Sequence, residues 1–178
     1  MTGGATAVAM PACTLLLSPM SARTKARKRA LDILFEADQR GANVSQVLEE
    51  RVTLSGRETA LPEYAAQIVA GVVAHWTEIQ EILQEASTEW TIDRMPAVDR
   101  ALLRIATWEI LFNNEVTVAV AIDEAVGLAR DLSTDDSPRF INGVLGTVAR
   151  DAPALPSDTA AGADTGTTPT DGQPPEGT

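Results

Sequence analysis

The sequence contains one cysteine, Cys13, and one histidine, His75. A lone cysteine forms no intramolecular disulfide, and two soft ligands fall short of a structural zinc site, so no metal is expected. Lack of disulfides fits a reducing, cytoplasmic setting. Aromatic residues are only 4% of the 178, while Leu, Ala, Ile, Val and Glu dominate, a balance that favours helix over sheet. No run approaches the ~20 apolar residues of a membrane span. Neither G-x-x-x-x-G-K-[ST] nor G-x-G-x-x-G occurs, and Gly162, Gly166 and Gly172 follow no strand pattern. His75 beside Trp76 reads as a packed or solvated side chain, and the acid pairs Asp123-Glu124 and Asp135-Asp136 as cap and surface features. The expectation is a protein that is not an enzyme and carries no cofactor.

Basic residues are also scarce, 14 against 25 acids for a net charge of −11. Five of the 14 nevertheless fall within seven positions: Arg23, Lys25, Arg27, Lys28 and Arg29, with no acid between them. Screening over about 8 Å lets such a cluster act locally despite the acidic chain. Cations at a helix N-terminus oppose the macrodipole, and Arg23/Arg27 and Lys25/Arg29 repel as like-charged i,i+4 pairs. Phosphates relieve that repulsion, so the cluster is expected to bind nucleic acid and its first turns to fray until it does. The ordinary alternative is a solvated basic arm.

Residues 1–20 lack a basic n-region, and their apolar stretch is broken by Pro11 and Pro19, so they read as an unstructured leader ahead of a start at Met20. Residues 151–178 hold five prolines, four glycines and five acids and read as a disordered acidic tail. Between them, residues 21–150 form the expected folded unit. Ser21 caps a first helix with Ala26, Ala30, Ile33, Leu34 and Ala37 at helical spacing, ended by Gly41. A short helix through Val47, Leu48 and Val52 follows. The spacing then predicts one long helix from Pro62 to about Ala86. A helix from Pro96 to about Phe112 is apolar around most of its circumference and should be the central one. Further helices are expected over 121–132 and from Ser137 to Arg150, although Asn142-Gly143 looks locally like a turn. The fold class is therefore all-α, with about six to seven helices in two halves joined near residues 87–95. Phe35 falls away from the Ala30/Leu34 stripe, near Lys28, as either a second packing face or a contact for a base or partner.

Three segments in this order and spacing, ARTKARKRALDILFEAD, WTIDRMPAVDRALLRIATWEIL and VAIDEAVGLARDLSTDDSPRFINGVLGTVAR, resemble the bacterial NusB family of transcription antitermination factors. The resemblance covers residues 21–150. It implies two small packed helical bundles, with Phe140 to Gly146 inside the last helix. It also implies binding of the boxA element of ribosomal RNA transcripts, a heterodimer with the small-subunit ribosomal protein NusE, and assembly with other Nus factors on RNA polymerase. By motif position, Arg23, Lys25, Arg27, Lys28, Arg29, Asp136 and Phe140 are the implied RNA residues. Phe35, Asp93 and Asp99 are implied on the partner surface. For Asp93 and Asp99 helix capping is the competing role, and for Phe140 core packing. Where the family often has Pro after the valine matching Val116, this chain has Thr117. A similar helical module begins ribosomal RNA cytosine methyltransferases, but with neither a cofactor domain nor a catalytic cysteine in the expected fold, that enzyme is not the expectation. A helical adaptor that acts through NusE or self-association, a homodimer included, is the remaining alternative.

Overall fold

The computed structural model describes residues 21–54, 60–87 and 91–151; the expected leader, with Cys13, and the expected tail beyond Asp151 lie outside them. Seven α-helices make up the described chain: α1 (Ala22–Arg40), α2 (Val44–Leu54), α3 (Glu63–Ala74), α4 (Trp76–Ala86), α5 (Ala97–Phe112), α6 (Val118–Leu132) and α7 (Ser137–Asp151). A single 3-10 turn, Ile92–Arg94, precedes α5.

Local chemistry sets most of the boundaries. The Ser21 hydroxyl accepts from the Thr24 amide at 3.0 Å and caps α1. Gly41, at φ 58°, supplies the left-handed residue that lets its amide turn back onto α1. Pro62 and Pro96 precede α3 and α5, where no helical amide is lost. The Thr117 side chain caps α6 in place of proline, accepting from the Val120 amide. Asn142-Gly143 stays within α7, because Ile141, Val144, Leu145 and Val148 give that segment a buried face that outweighs its turn preference.

The long helix expected over 62–86 is two helices. His75 leaves helical geometry at φ −109°, ψ 22°, and its ring stacks on Phe112 at 3.8 Å between centroids. The chain turns there so that α4 packs on α5 and α7. This puts the division between the halves at His75 and not near 87–95. The first group is α1, α2 and α3; the second is α4, α6 and α7; α5 serves both. Every residue from Ala101 to Ile110 is buried, as expected of the central helix. Trp108 lies directly against Gly71 of α3, where a Cβ would overlap the indole, so the glycine sets how closely α3 and α5 approach.

Candidate nucleic-acid interface

Burying the Ala26/Ala30/Ile33/Leu34/Ala37 face of α1 sorts the five cations by helical phase. Lys25, Lys28 and Arg29 point to solvent. Lys25 and Lys28 join no ion pair among the described residues, and Arg29 has only a loose partner, Asp32, at 3.8 Å. Burial pushes the Asp32 carboxyl above its ordinary range, against the pull of Arg29 and Lys28.

Arg27 does not belong to this face, contrary to the sequence expectation. Its side chain is 2% exposed, and its Nε donates to both carboxylate oxygens of Glu109 at 3.0 Å. Nη2 lies 2.9 Å from Glu109 Oε1, and Nη1 lies 3.4 Å from Glu124 Oε2 on α6. Burial disfavours the guanidinium, yet the hydrogen bond and charge of Glu109 outweigh it, and the pKa is raised. The Tyr64 hydroxyl donates to the same carboxylate, and Asn113 Nδ2 donates to the Tyr64 oxygen at 3.2 Å. Burial first and the hydrogen bond to Glu109 second hold the phenol protonated far above its ordinary range. Arg27 therefore ties α1 to α5 and α6 and lies against the Tyr64 ring of α3, and at 2% exposure its guanidinium is out of reach of a phosphate.

Arg23 lies at the outer end of the same network. Its guanidinium sits 5.0 Å above the Tyr64 ring and its Nη2 lies 2.9 Å from Glu115 Oε2, with both side chains about half exposed at 49% and 61%. Thr24 Oγ1 donates to Glu124 at 3.0 Å. Carboxylates from α6 and from the turn before it thus partner Arg23, Thr24 and Arg27 without phosphate, contacts that the expectation of a fraying start did not include, while Lys25 stays outside them.

Phe35 is 37% exposed on the flank of α1 that carries Lys28, consistent with the sequence reading of an outward aromatic. Asp93 is exposed on the 3-10 turn, whose backbone is clamped by Arg100: Nη1 donates to the Asp93 carbonyl at 3.2 Å and the Met95 carbonyl at 2.7 Å. The Arg100 Nη2 also reaches Asp38 of α1 at 2.6 Å.

Asp99 is a second correction. It is 2% exposed, and its two oxygens accept from Ser133 Oγ at 2.6 Å and Ser137 Oγ at 2.7 Å. A side chain so enclosed offers no surface to a partner; it fastens the α6–α7 turn to the start of α5. On the outer side of that turn Asp136 is exposed, and Phe140 is partly buried against the core, so packing accounts for part of the Phe140 ring. Asp99 and Glu109 lie ten residues apart on α5, so the two anchored regions are separated by about 15 Å along that helix.

Glu109, Glu115, Tyr64 and Asn113 were not singled out from the sequence, and Glu124, read there as a cap or surface feature, instead faces Arg27 and Thr24. A readable signal existed for one of them: Glu109 is a carboxylate inside a helix apolar on nearly every side, which requires a buried cation. Glu115 reaches Arg23 across 92 positions of sequence, a pairing no local pattern encodes.

Known proteins share the helical fold. Residues 24–150 match the NusB family. The transcription antitermination protein NusB of Beutenbergia cavernae is 53% identical over 150 residues, spanning 80% of this chain and 98% of the relative. The solved structure of T. maritima NusB superposes with a TM-score of 0.65 at 28% identity, covering 74% of this chain and 93% of that one. A crystal structure of antitermination factors NusB and NusE with double-stranded RNA superposes with a TM-score of 0.62 at 28% identity, covering 72% and 96%. A family match over residues 24–150, with 53% identity to a curated relative and this fold, shows that the chain belongs to the NusB family of transcription antitermination proteins.

Proposed function

We propose that the protein binds the boxA element of ribosomal RNA transcripts together with NusE, and joins the antitermination complex of Nus factors on RNA polymerase. The observation that carries this reading is the outer face of α1, where Lys25, Lys28 and Arg29 stand exposed in a chain of net charge −11. Three phosphate contacts at a single-strand slope of roughly −0.7 each give about an eighteenfold loss of affinity between 50 and 200 mM salt. Phe35, beside Lys28, offers an aromatic surface for a base or for NusE, and Asp93, Asp136 and the exposed part of Phe140 extend the candidate contact region. Support also comes from the related NusB–NusE–RNA complex.

A second reading, an adaptor that works through NusE with little RNA affinity of its own, is favoured by one observation. Arg27 is held by Glu109, Arg23 by Glu115, and Arg29 is near Asp32, which leaves Lys25 and Lys28 as the cations of this cluster outside ion pairs among the described residues. Titrating labelled boxA RNA with the protein, alone and with NusE, separates the two. Salt-sensitive binding without NusE supports the first. Binding only in the presence of NusE, with Lys25→Ala and Lys28→Ala inert, supports the second.

A further inference from the structure

We infer that Glu115 sets the RNA affinity of the basic face: its carboxylate occupies the Arg23 guanidinium, and a phosphate must displace it before Arg23 can grip RNA. The inference rests on the RNA-binding reading above and adds a residue that opposes binding.

The geometry is that of a built clasp. Glu115 Oε2 lies 2.9 Å from Arg23 Nη2, and the Glu115 carbonyl accepts weakly from Nη1 at 3.5 Å, so one residue holds the outer fork of the guanidinium. The guanidinium carbon lies over the Tyr64 ring at 5.0 Å from its centroid. Neither wall is free to wander. The Glu115 amide donates to Asn113 Oδ1 at 2.9 Å, which pins the turn, and Asn113 is itself only 5% exposed. The same Asn113 donates to the Tyr64 hydroxyl at 3.2 Å, which fixes the ring. The acid is thus delivered to Arg23 by an anchored turn.

The contrast with Arg27 decides what the clasp can do. The Arg27–Glu109 pair is sealed from water, whereas Arg23 and Glu115 are 49% and 61% exposed, so solvent screens their attraction and a phosphate can exchange for the carboxylate. While the clasp is closed, Arg23 adds no net charge to the face. Removing the carboxylate releases that charge and leaves the Tyr64 platform in place.

The test is a fluorescence titration of single-stranded boxA RNA with the full chain, comparing wild type and Glu115→Gln at 50 and 200 mM salt. Glu115→Gln should bind about three- to tenfold more tightly at low salt and steepen the salt slope by about 0.7, the contribution of one added phosphate contact. Glu85→Gln, the same charge change at an exposed position of α4, should not reproduce the gain. In an Arg23→Ala background Glu115→Gln should lose its effect. Equal or weaker binding by Glu115→Gln would overturn the inference and make Glu115 a residue that positions Arg23 for RNA. A gain that persists without Arg23, or that Glu85→Gln matches, would overturn it as well. Absence of RNA binding by every variant would overturn the RNA-binding reading, and the inference with it.

Discussion

Replacing Arg27 with alanine should unfold the protein more readily without weakening the RNA binding proposed for it. The side chain and its partner Glu109 are 2% and 1% exposed, and three guanidinium contacts of 2.9 to 3.0 Å join them. Truncation leaves the Glu109 carboxylate in the core with only the Tyr64 hydroxyl as donor among its described partners. Breaking one side of a buried pair typically costs about 3–5 kcal/mol. A domain has about 5–15 kcal/mol in total, so the loss is a large share. Urea melts followed by circular dichroism should show that fall, while Lys28→Ala, on the solvent face, should stay within about 0.5 kcal/mol of wild type. Replacing both partners with apolar residues, Arg27→Met with Glu109→Leu, should recover a large part of the loss, because no charge is then stranded. At a temperature where Arg27→Ala is folded, its RNA affinity should match wild type within about twofold. Stability within about 1 kcal/mol of wild type, with RNA affinity down tenfold or more, would refute the reasoning and return Arg27 to the RNA surface.

Three further outcomes follow from the packing. Tyr64 is the only tyrosine, and its phenol is held protonated well above the ordinary value near 10. The folded state therefore retains a proton that the unfolded chain gives up, so the stability contributed by Tyr64 is fully present below about pH 10 and is lost as pH rises beyond it. Tyrosinate absorbance should appear together with loss of helix, and a reversible titration near pH 10 with the helices intact would contradict this. Gly71→Ala, which drives a methyl into the Trp108 indole, should cost about 1–3 kcal/mol or more in a denaturant melt, whereas Gly127→Ala, with open space around it, should not destabilise. Asp99→Ala should cost about 2–3 kcal/mol by stripping the acceptor from Ser133 and Ser137, and hydrogen exchange should rise across residues 133–137.

Sequence reasoning reached the helices wherever a boundary is chemical and local: Ser21, Gly41, Pro62, Pro96 and Ser137 mark positions where the backbone needs a cap or tolerates no further turn. It ran α3 and α4 together because nothing at His75 breaks a helix, and Val72, Trp76, Ile79 and Leu83 continue the apolar period. The break is tertiary, made by His75 stacking on Phe112 of another helix. Within the basic cluster, composition treated five cations as equivalent. Helical phase distinguishes them, since Arg27 lies three residues before Ala30 and seven before Leu34, on the side that α1 buries, while Lys25 and Arg29 lie opposite. What no spacing could supply is the identity of the counter-charges, because Glu109, Glu115 and Glu124 come from elements far along the chain. Asp99 was legible as a helix-start carboxylate. Its partners Ser133 and Ser137 become visible only once α6 and α7 fold back on α5.

The central claim is that the RNA grip lies on the outward cations of α1 and not on its buried one. It is tested most directly by the salt dependence of boxA RNA binding to a Lys25→Ala/Lys28→Ala/Arg29→Ala variant beside wild type. Wild type should lose about eighteenfold in affinity between 50 and 200 mM salt; the variant should keep its fold, bind weakly at 50 mM and show an almost flat dependence. A folded variant that retains both the affinity and the salt slope of wild type would contradict the account.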